Sequence, residues 1–228
     1  MWSVVKLKKV RLFLIICSIS FSGNTQEKNS DKVFREVSKE VKALQLQCPK
    51  CDNLNTISCV QKKIHCYVEI DQYVRNKITW PIIDDRLAKI LAKIDVSNTK
   101  DLKLILRMYG WLTISKFGKV TDNEAWLLVQ HADHDPNFQA SIAFILEQLV
   151  EIGETDPQNF AYLYDRVAGY FQHIGLKQRY GTQATIKDGK IKLDPFEGTT
   201  EELNKRRKSI GLSPIEEYLK QLKAVYIK

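Results

Sequence analysis

Residues 126–157 read WLLVQHADHDPNFQASIAFILEQLVEIGETDP, and the punctuation of this stretch decides the fold. Asp135-Pro136 and Asp156-Pro157 each set a carboxylate acceptor ahead of a proline at a first helical position, where the missing N–H has no partner to lose, so each marks a helix start. Between them Phe138, Ile142, Ile145, Leu149 and Ile152 recur at three- and four-residue spacing up to Gly153, the pattern of a helix with one apolar face. Trp126, Leu127 and Val129 belong to a helix running from about Asp122 to His131, and Phe160, Leu163, Val167 and Phe171 carry another to about His173. The chain is therefore read as mainly α, with His131 to Asp135 as a polar elbow between two helices.

Towards the amino terminus, Ser30 can cap a helix in which Val33, Val37, Val41 and Leu44 share a face and which stops before Cys48. Ile64 to Ile94 is mostly helical with a junction at Trp80-Pro81, because proline removes a backbone donor and disfavours helix in the residue ahead of it. Thr99 can cap a further helix through Leu102, Leu104, Ile105 and Met108, closing at Tyr109-Gly110. Beyond Gly175 the period changes: Ala184, Ile186, Ile191 and Leu193 flank Asp188-Gly189, the dipeptide of two-residue hairpin turns. One small β-hairpin is thus expected near the carboxy-terminal third. Thr199 with Glu202 and Ser213 with Glu216 have capping-box spacing, and Pro214 fits a first helical position, which gives two closing helices.

The first eleven residues carry Lys6, Lys8, Lys9 and Arg11 with no acid, and Leu12 to Phe21 is an apolar run ending in Ser22 and Gly23. This is the pattern of a secretory signal peptide over residues 1–23; the run is about half the roughly 20 residues that cross a bilayer, so no transmembrane segment is expected after leader cleavage. The mature chain is read as an exported protein, periplasmic or secreted. Cys17 offers a lesser route, lipidation of a mature amino-terminal cysteine, which bulky Ile16 disfavours. Without the four leader cations the formal charge of +8 falls to about +4. There is no strong nucleic-acid signal, since basic residues are not interleaved with aromatics and the densest cluster, Lys205 to Lys208, reads as a solvated helix face.

Cys48, Cys51, Cys59 and Cys66 crowd one polar segment, and an even number in an oxidising compartment points to two disulfides with three possible pairings. Cys48-Pro49-Lys50-Cys51 also has the spacing of redox and zinc motifs, with His65 as a further ligand, although no thioredoxin-like βαβ unit surrounds it. The organisation that follows is an amino-terminal helical region, 24–97, with a cysteine-stapled connector, and a helical domain with the hairpin, 98–228.

An ordered series of short elements runs through the second region: Gly110-Trp111, Gln130-His131-Ala132-Asp133, Asp165-Arg166, Tyr180-Gly181-Thr182-Gln183 and Arg206-Arg207. The series resembles a bacterial family known only as a domain of unknown function, over about Thr99 to Leu222. The resemblance implies a helical domain and no established activity. His173 to Leu176, ahead of Lys177-Gln178, departs from the family pattern by altering the approach to the Tyr-Gly-Thr-Gln element, and the cysteine segment falls outside the likeness.

Polar groups are costly to bury without partners, and here they gather where helices bend. Gln130, His131, Asp133, Gln139, Asp165, Arg166, Gln178, Tyr180, Thr182 and Gln183 are the candidate binding residues, for an unidentified small-molecule or protein ligand. A hydrolase would use His131 as base, Asp133 or Asp165 to orient it, and Arg166 with Tyr180 against developing negative charge. A third reading is a purely structural network that locks helices to the hairpin. No cofactor and no metal are expected: His131, Asp133, His134 and Asp135 sit close in sequence, but adjacent helix-end residues point apart and no second His-x-x-x-His helix completes a zinc set.

Overall fold

Helix limits follow the capping chemistry of the chain. The computed structural model describes residues 24–50, 56–78, 84–187 and 190–226. Its elements in order are α1 (Asn24–Gln47), α2 (Ile57–Lys77), α3 (Asp85–Tyr109), α4 (Ile114–Gln130), α5 (Pro136–Glu151) and α6 (Pro157–Tyr170), a 3-10 turn (Gln172–Ile174), β1 (Ala184–Lys187), β2 (Lys190–Leu193), α7 (Thr200–Ser209) and α8 (Ile215–Tyr226). The mainly helical reading with a single hairpin holds. Asp135 accepts from the Phe138 amide at 3.1 Å and Asp156 from the Gln158 amide at 3.0 Å, so both Asp-Pro starts work as read. Thr199 and Glu202 form a reciprocal capping box. β1 and β2 are antiparallel, with Ala184 opposite Leu193 and Lys187 opposite Lys190. The Asp188-Gly189 turn, the leader 1–23, Cys51 and the Trp80-Pro81 junction lie outside the described residues.

Three apolar clusters organise the chain. The central one joins Ile64 of α2, Leu102 of α3, Phe117 of α4, Leu146 of α5 and Leu163 of α6. Each such side chain, wholly buried, contributes about 1.5–3 kcal/mol. A second packs Val37 and Val41 of α1 on Ile70 and Val74 of α2 and on Leu87 and Leu91 of α3. The third sets Ala184 of the hairpin against Leu203 of α7 and Ile215, Tyr218 and Leu222 of α8. Among the described residues no helix is long and apolar enough to cross a membrane.

Several local expectations are corrected. Ser30 does not cap α1; the helix runs through it, and its hydroxyl instead meets Asp84 and the Arg86 guanidinium. Thr99 lies inside α3, its hydroxyl donating back to the Asp95 carbonyl at 2.7 Å, so α3 is continuous from Asp85 and residues 97 and 98 are both helical. The cysteine segment is only partly a connector: α2 begins at Ile57 behind the Thr56 cap, which puts Cys59 and Cys66 on the helix. Cys48 is bonded to Cys66, with Cα atoms 5.7 Å apart, and Cys59 is also disulfide-bonded. A cysteine joined to Cys66 cannot be the redox or zinc partner of Cys51, which removes the C-x-x-C reading.

Candidate functional site at the helical elbow

The elbow is made where α4 ends and α5 begins, and the sequence sets both limits: His131 is the closing residue of α4, and Asp135 caps α5. Between them the chain presents Asp133, half-buried, and His134, exposed. Helix α6 runs alongside and carries Asp165 and Arg166 in its interior, where consecutive side chains point to different sides. These neighbours serve two separate networks.

The first network lies at the elbow. Arg166 Nη1 donates to both carboxylate oxygens of Asp133, at 2.9 and 3.1 Å. Gln139 Nε2 donates to the carbonyls of Val129 and Gln130, at 3.0 and 3.3 Å, and to Asp133 at 3.3 Å. Burial, aided by the Asp133 charge, pushes the nearby Tyr170 phenol up. Five of the sequence candidates, Gln130, His131, Asp133, Gln139 and Arg166, are thus brought together.

His131 is 5 % exposed, and its Nδ1 lies 3.0 Å from the Asp71 carboxylate of α2. Asp71 in turn accepts from Arg75 Nε at 2.8 Å and from Gln72 at 2.8 Å. Arg75 reaches on to Asp95 of α3 at 2.6 Å. Burial holds the imidazole below its ordinary range, against the pull of Asp71, so His131 is neutral. Burial would raise the Asp71 carboxyl, but the hydrogen bond from the neutral imidazole, the Arg75 charge and the Gln72 amide outweigh it and keep the group ionised. Asp95 moves the other way: burial raises it, Arg75 opposes and the Asp71 charge adds to the rise. A carboxylate beside Nδ1 favours the tautomer that carries its proton on that nitrogen and orients the ring, as in a general base held by an acid.

Asp71, Asp95 and His131 each offer a ligand atom, all within 4.8 Å of one another. The Arg75 guanidinium already bonds both carboxylates, so the positive charge that a metal ion would bring is supplied by the chain itself.

The second network holds the Tyr-Gly-Thr-Gln turn. The Asp165 carboxylate, wholly buried, accepts three backbone amides: Arg179 at 2.8 Å, Tyr180 at 3.1 Å and Thr182 at 2.8 Å. Burial raises this carboxyl to about 6 against the pull of those amides. Gln178 donates to the carbonyls of Gln183 and Asp194 and accepts the Gln183 amide at 2.7 Å. Tyr218 of α8 donates to the Thr182 carbonyl at 2.8 Å, and the Gln183 side chain to the Thr182 hydroxyl at 3.1 Å. The Tyr180 ring meets Phe160 edge-on, while its carbonyl accepts from Arg207 at 2.6 Å. Arg206 likewise donates to the Arg179 carbonyl at 2.7 Å, so the basic cluster of α7 is not wholly a solvated face. Asp165, Gln178, Tyr180, Thr182 and Gln183 form this second group, and its bonds are nearly all to backbone.

A family model described as "Family of unknown function (DUF6624)" matches residues 58–228. The chain belongs to this family. Comparison with curated proteins and with solved structures returned no match. The matched residues start at the head of α2, so the DUF6624 region takes in Cys59 and Cys66 and the Asp71–Arg75 pair, more of the chain than the short elements alone span.

Asp71, Arg75 and Asp95 are the residues of this DUF6624 chain that sequence reasoning missed. A signal was present. Ile64, Tyr67, Ile70 and Val74 mark the buried stripe of α2, and Asp71 and Arg75 interrupt it at i, i+4, as Asp95 and Asn98 interrupt the stripe of Leu87, Leu91 and Leu102 in α3. Charges on an apolar stripe need a buried partner. Asp122 is a further case, wholly buried and accepting from Trp111 at 2.7 Å, Thr155 at 2.7 Å and Asn159 at 3.2 Å.

Proposed function

We propose that this is an exported DUF6624 protein that binds a small polar ligand at the elbow, between Gln130, Asp133, Gln139 and Arg166. One observation carries the reading: Gln130 Oε1, Gln139 Oε1 and Arg166 Nε are buried polar atoms with no hydrogen-bond partner among the described residues, and Gln139, which bonds the Gln130 carbonyl, shares Asp133 with Arg166. Two acceptors and one cationic donor left open call for a molecule carrying both hydroxyl or amide donors and an acceptor. The Asp133 side chain, 30 % exposed beside the 6 % of Arg166, gives the place a solvent-facing edge. Export is supported by the basic and apolar leader pattern and by the Cys48–Cys66 disulfide, which persists in oxidising compartments.

The test is a crystal structure at high resolution of protein purified from its native host, together with mass spectrometry of what co-purifies. A polyatomic molecule on Arg166 Nε and the two glutamine oxygens, absent from Arg166→Leu, is expected. A single water on those atoms would reduce the elbow to a structural lock.

A second reading, hydrolysis, is favoured by the Asp71–His131 pair. It calls for turnover of a simple ester or phosphodiester, such as p-nitrophenyl acetate or bis-p-nitrophenyl phosphate, that His131→Gln abolishes. No turnover of either by the native chain would remove the support of that pair.

A further inference from the structure

Helix α1 sorts its charges by side. Asp31 pairs with Arg86 of α3, and Glu36 with Lys77 of α2 at 2.8 Å, so these acids are turned towards the rest of the fold. Glu40 follows Glu36 by four residues and so lies on the same flank. Lys32, Arg35, Lys39 and Lys42 follow one another at three, four and three residues, which sets them on one face, opposite Val33, Val37, Val41 and Leu44. All four are exposed and form no ion pair among the described residues. Over ten residues this stripe is about 15 Å long.

The stripe is not purely charged. Phe34, Ala43 and Leu46 line a shallow groove between the cations, and Leu46 is 81 % exposed. Cations flanking the exposed Leu46 and the half-buried Phe34 and Ala43 on one side of a helix match an interface with headgroup phosphates outside and acyl chain beneath. Duplex nucleic acid, the other polyanion, would leave Leu46 and the groove wet.

We propose that the outer face of α1, through Lys32, Arg35, Lys39, Lys42 and Leu46, docks on an anionic lipid surface. The proposal is independent of the elbow and of any ligand bound there. Each basic residue brought to such a surface strengthens attachment by about fivefold, an effect that salt weakens.

The test is flotation of the mature chain, from Asn24 onward, with vesicles of phosphatidylcholine alone and of phosphatidylcholine with phosphatidylglycerol, at low and high salt. The reading lies in variants. Arg35→Gln with Lys39→Gln and Lys42→Gln should weaken binding to the anionic vesicles by about a hundredfold at low salt and leave binding to the neutral ones unchanged. Lys205→Gln with Lys208→Gln and Lys220→Gln, the same charge change at exposed positions of α7 and α8, should leave both unchanged. Equal loss in the two triple variants would overturn the proposal. So would native binding indifferent to phosphatidylglycerol, or an α1-dependent attachment to duplex DNA without one to vesicles.

Discussion

The Asp71 carboxylate lies 3.0 Å from Nδ1 of His131 and ties the middle of α2 to the last turn of α4, with Arg75 bonded to the same carboxylate at 2.8 Å. Asp71 is wholly buried and Arg75 is 4 % exposed, so neither charge has water to fall back on. Asp71→Ala should therefore destabilise the chain by about 3 kcal/mol in urea unfolding, because it takes a carboxylate from both His131 and Arg75 and leaves the buried guanidinium with Asp95 in place of two acids. Asp71→Leu with Arg75→Met removes both charges and should recover part of that loss. A fall of under about 1 kcal/mol for Asp71→Ala would mean that the pair is hydrated in solution.

His131 adds a pH dependence of fixed sign. Its pKa in the fold is below the ordinary 6.5, chiefly through burial. Below that value the unfolded chain takes up a proton that the folded chain refuses, so the His131 contribution is complete above about 6.5 and stability drains away as the pH falls further. The slope can reach about 1.4 kcal/mol per pH unit. Urea midpoints at pH 7.5, 6 and 5 should show it in the native chain and much less of it in His131→Gln. Equal slopes in the two would place the lost proton elsewhere.

Asp165 works in the opposite sense. Its carboxyl, raised to about 6, keeps a proton in the fold that the unfolded chain has already released above about 4, so this contribution weakens as pH rises between those values and is constant beyond them. Asp165→Ala leaves three backbone amides without an acceptor and should lower stability by about 3 kcal/mol or more. Hydrogen exchange checks where: protection should be lost at residues 179, 180 and 182 and across the hairpin and α8, while α5 keeps its own.

That division was half legible in the sequence. Asp-Pro starts, the Thr199 capping box and the hairpin rest on neighbours in sequence, and local chemistry alone fixes them. Asp165 and the Tyr-Gly-Thr-Gln turn could be named as belonging together, but their bonds are to backbone amides, which no side-chain pattern records. Thr99 offers the same oxygen to a cap or to the carbonyl four residues back, and only packing chooses between them, so the start of α3 at Asp85 is not legible locally. Asp71 and His131 sit on different helices, and pairing them needs the interhelical geometry itself.

Two glycines should respond to alanine with opposite signs. Gly181 has φ +62, and an added Cβ would meet Leu203 Cδ2 at 3.2 Å and Ile215 Cδ1 at 3.3 Å. Gly181→Ala should cost about 1–3 kcal/mol, felt in the third apolar cluster. Gly169 is helical and exposed with nothing within 4 Å of its would-be Cβ, so Gly169→Ala should stabilise by about 0.5–1 kcal/mol. Thermal unfolding of the two variants side by side decides this, and a stabilising Gly181→Ala would contradict the left-handed turn.

The Cys48–Cys66 bond fastens the end of α1 to α2 across a separation of 18 residues, a loop whose closure is worth about 3 kcal/mol. Beyond it, α1 is held by Val37 and Val41 against Ile70 and Val74, a small apolar seam compared with the core of α2 to α6. Removing the bond with Cys48→Ala and Cys66→Ala together should therefore act unevenly. Amide exchange should rise along α1 by the largest factor and spread to the start of α3, where Arg86 bonds Asp31 and Ser30. The elbow, with its bonds from Arg166 and Gln139 to Asp133, should keep its protection, because none of its partners lies on α1. Exchange that rises equally in α1 and α5 would show that the chain unfolds as one unit and that the disulfide supports all of it.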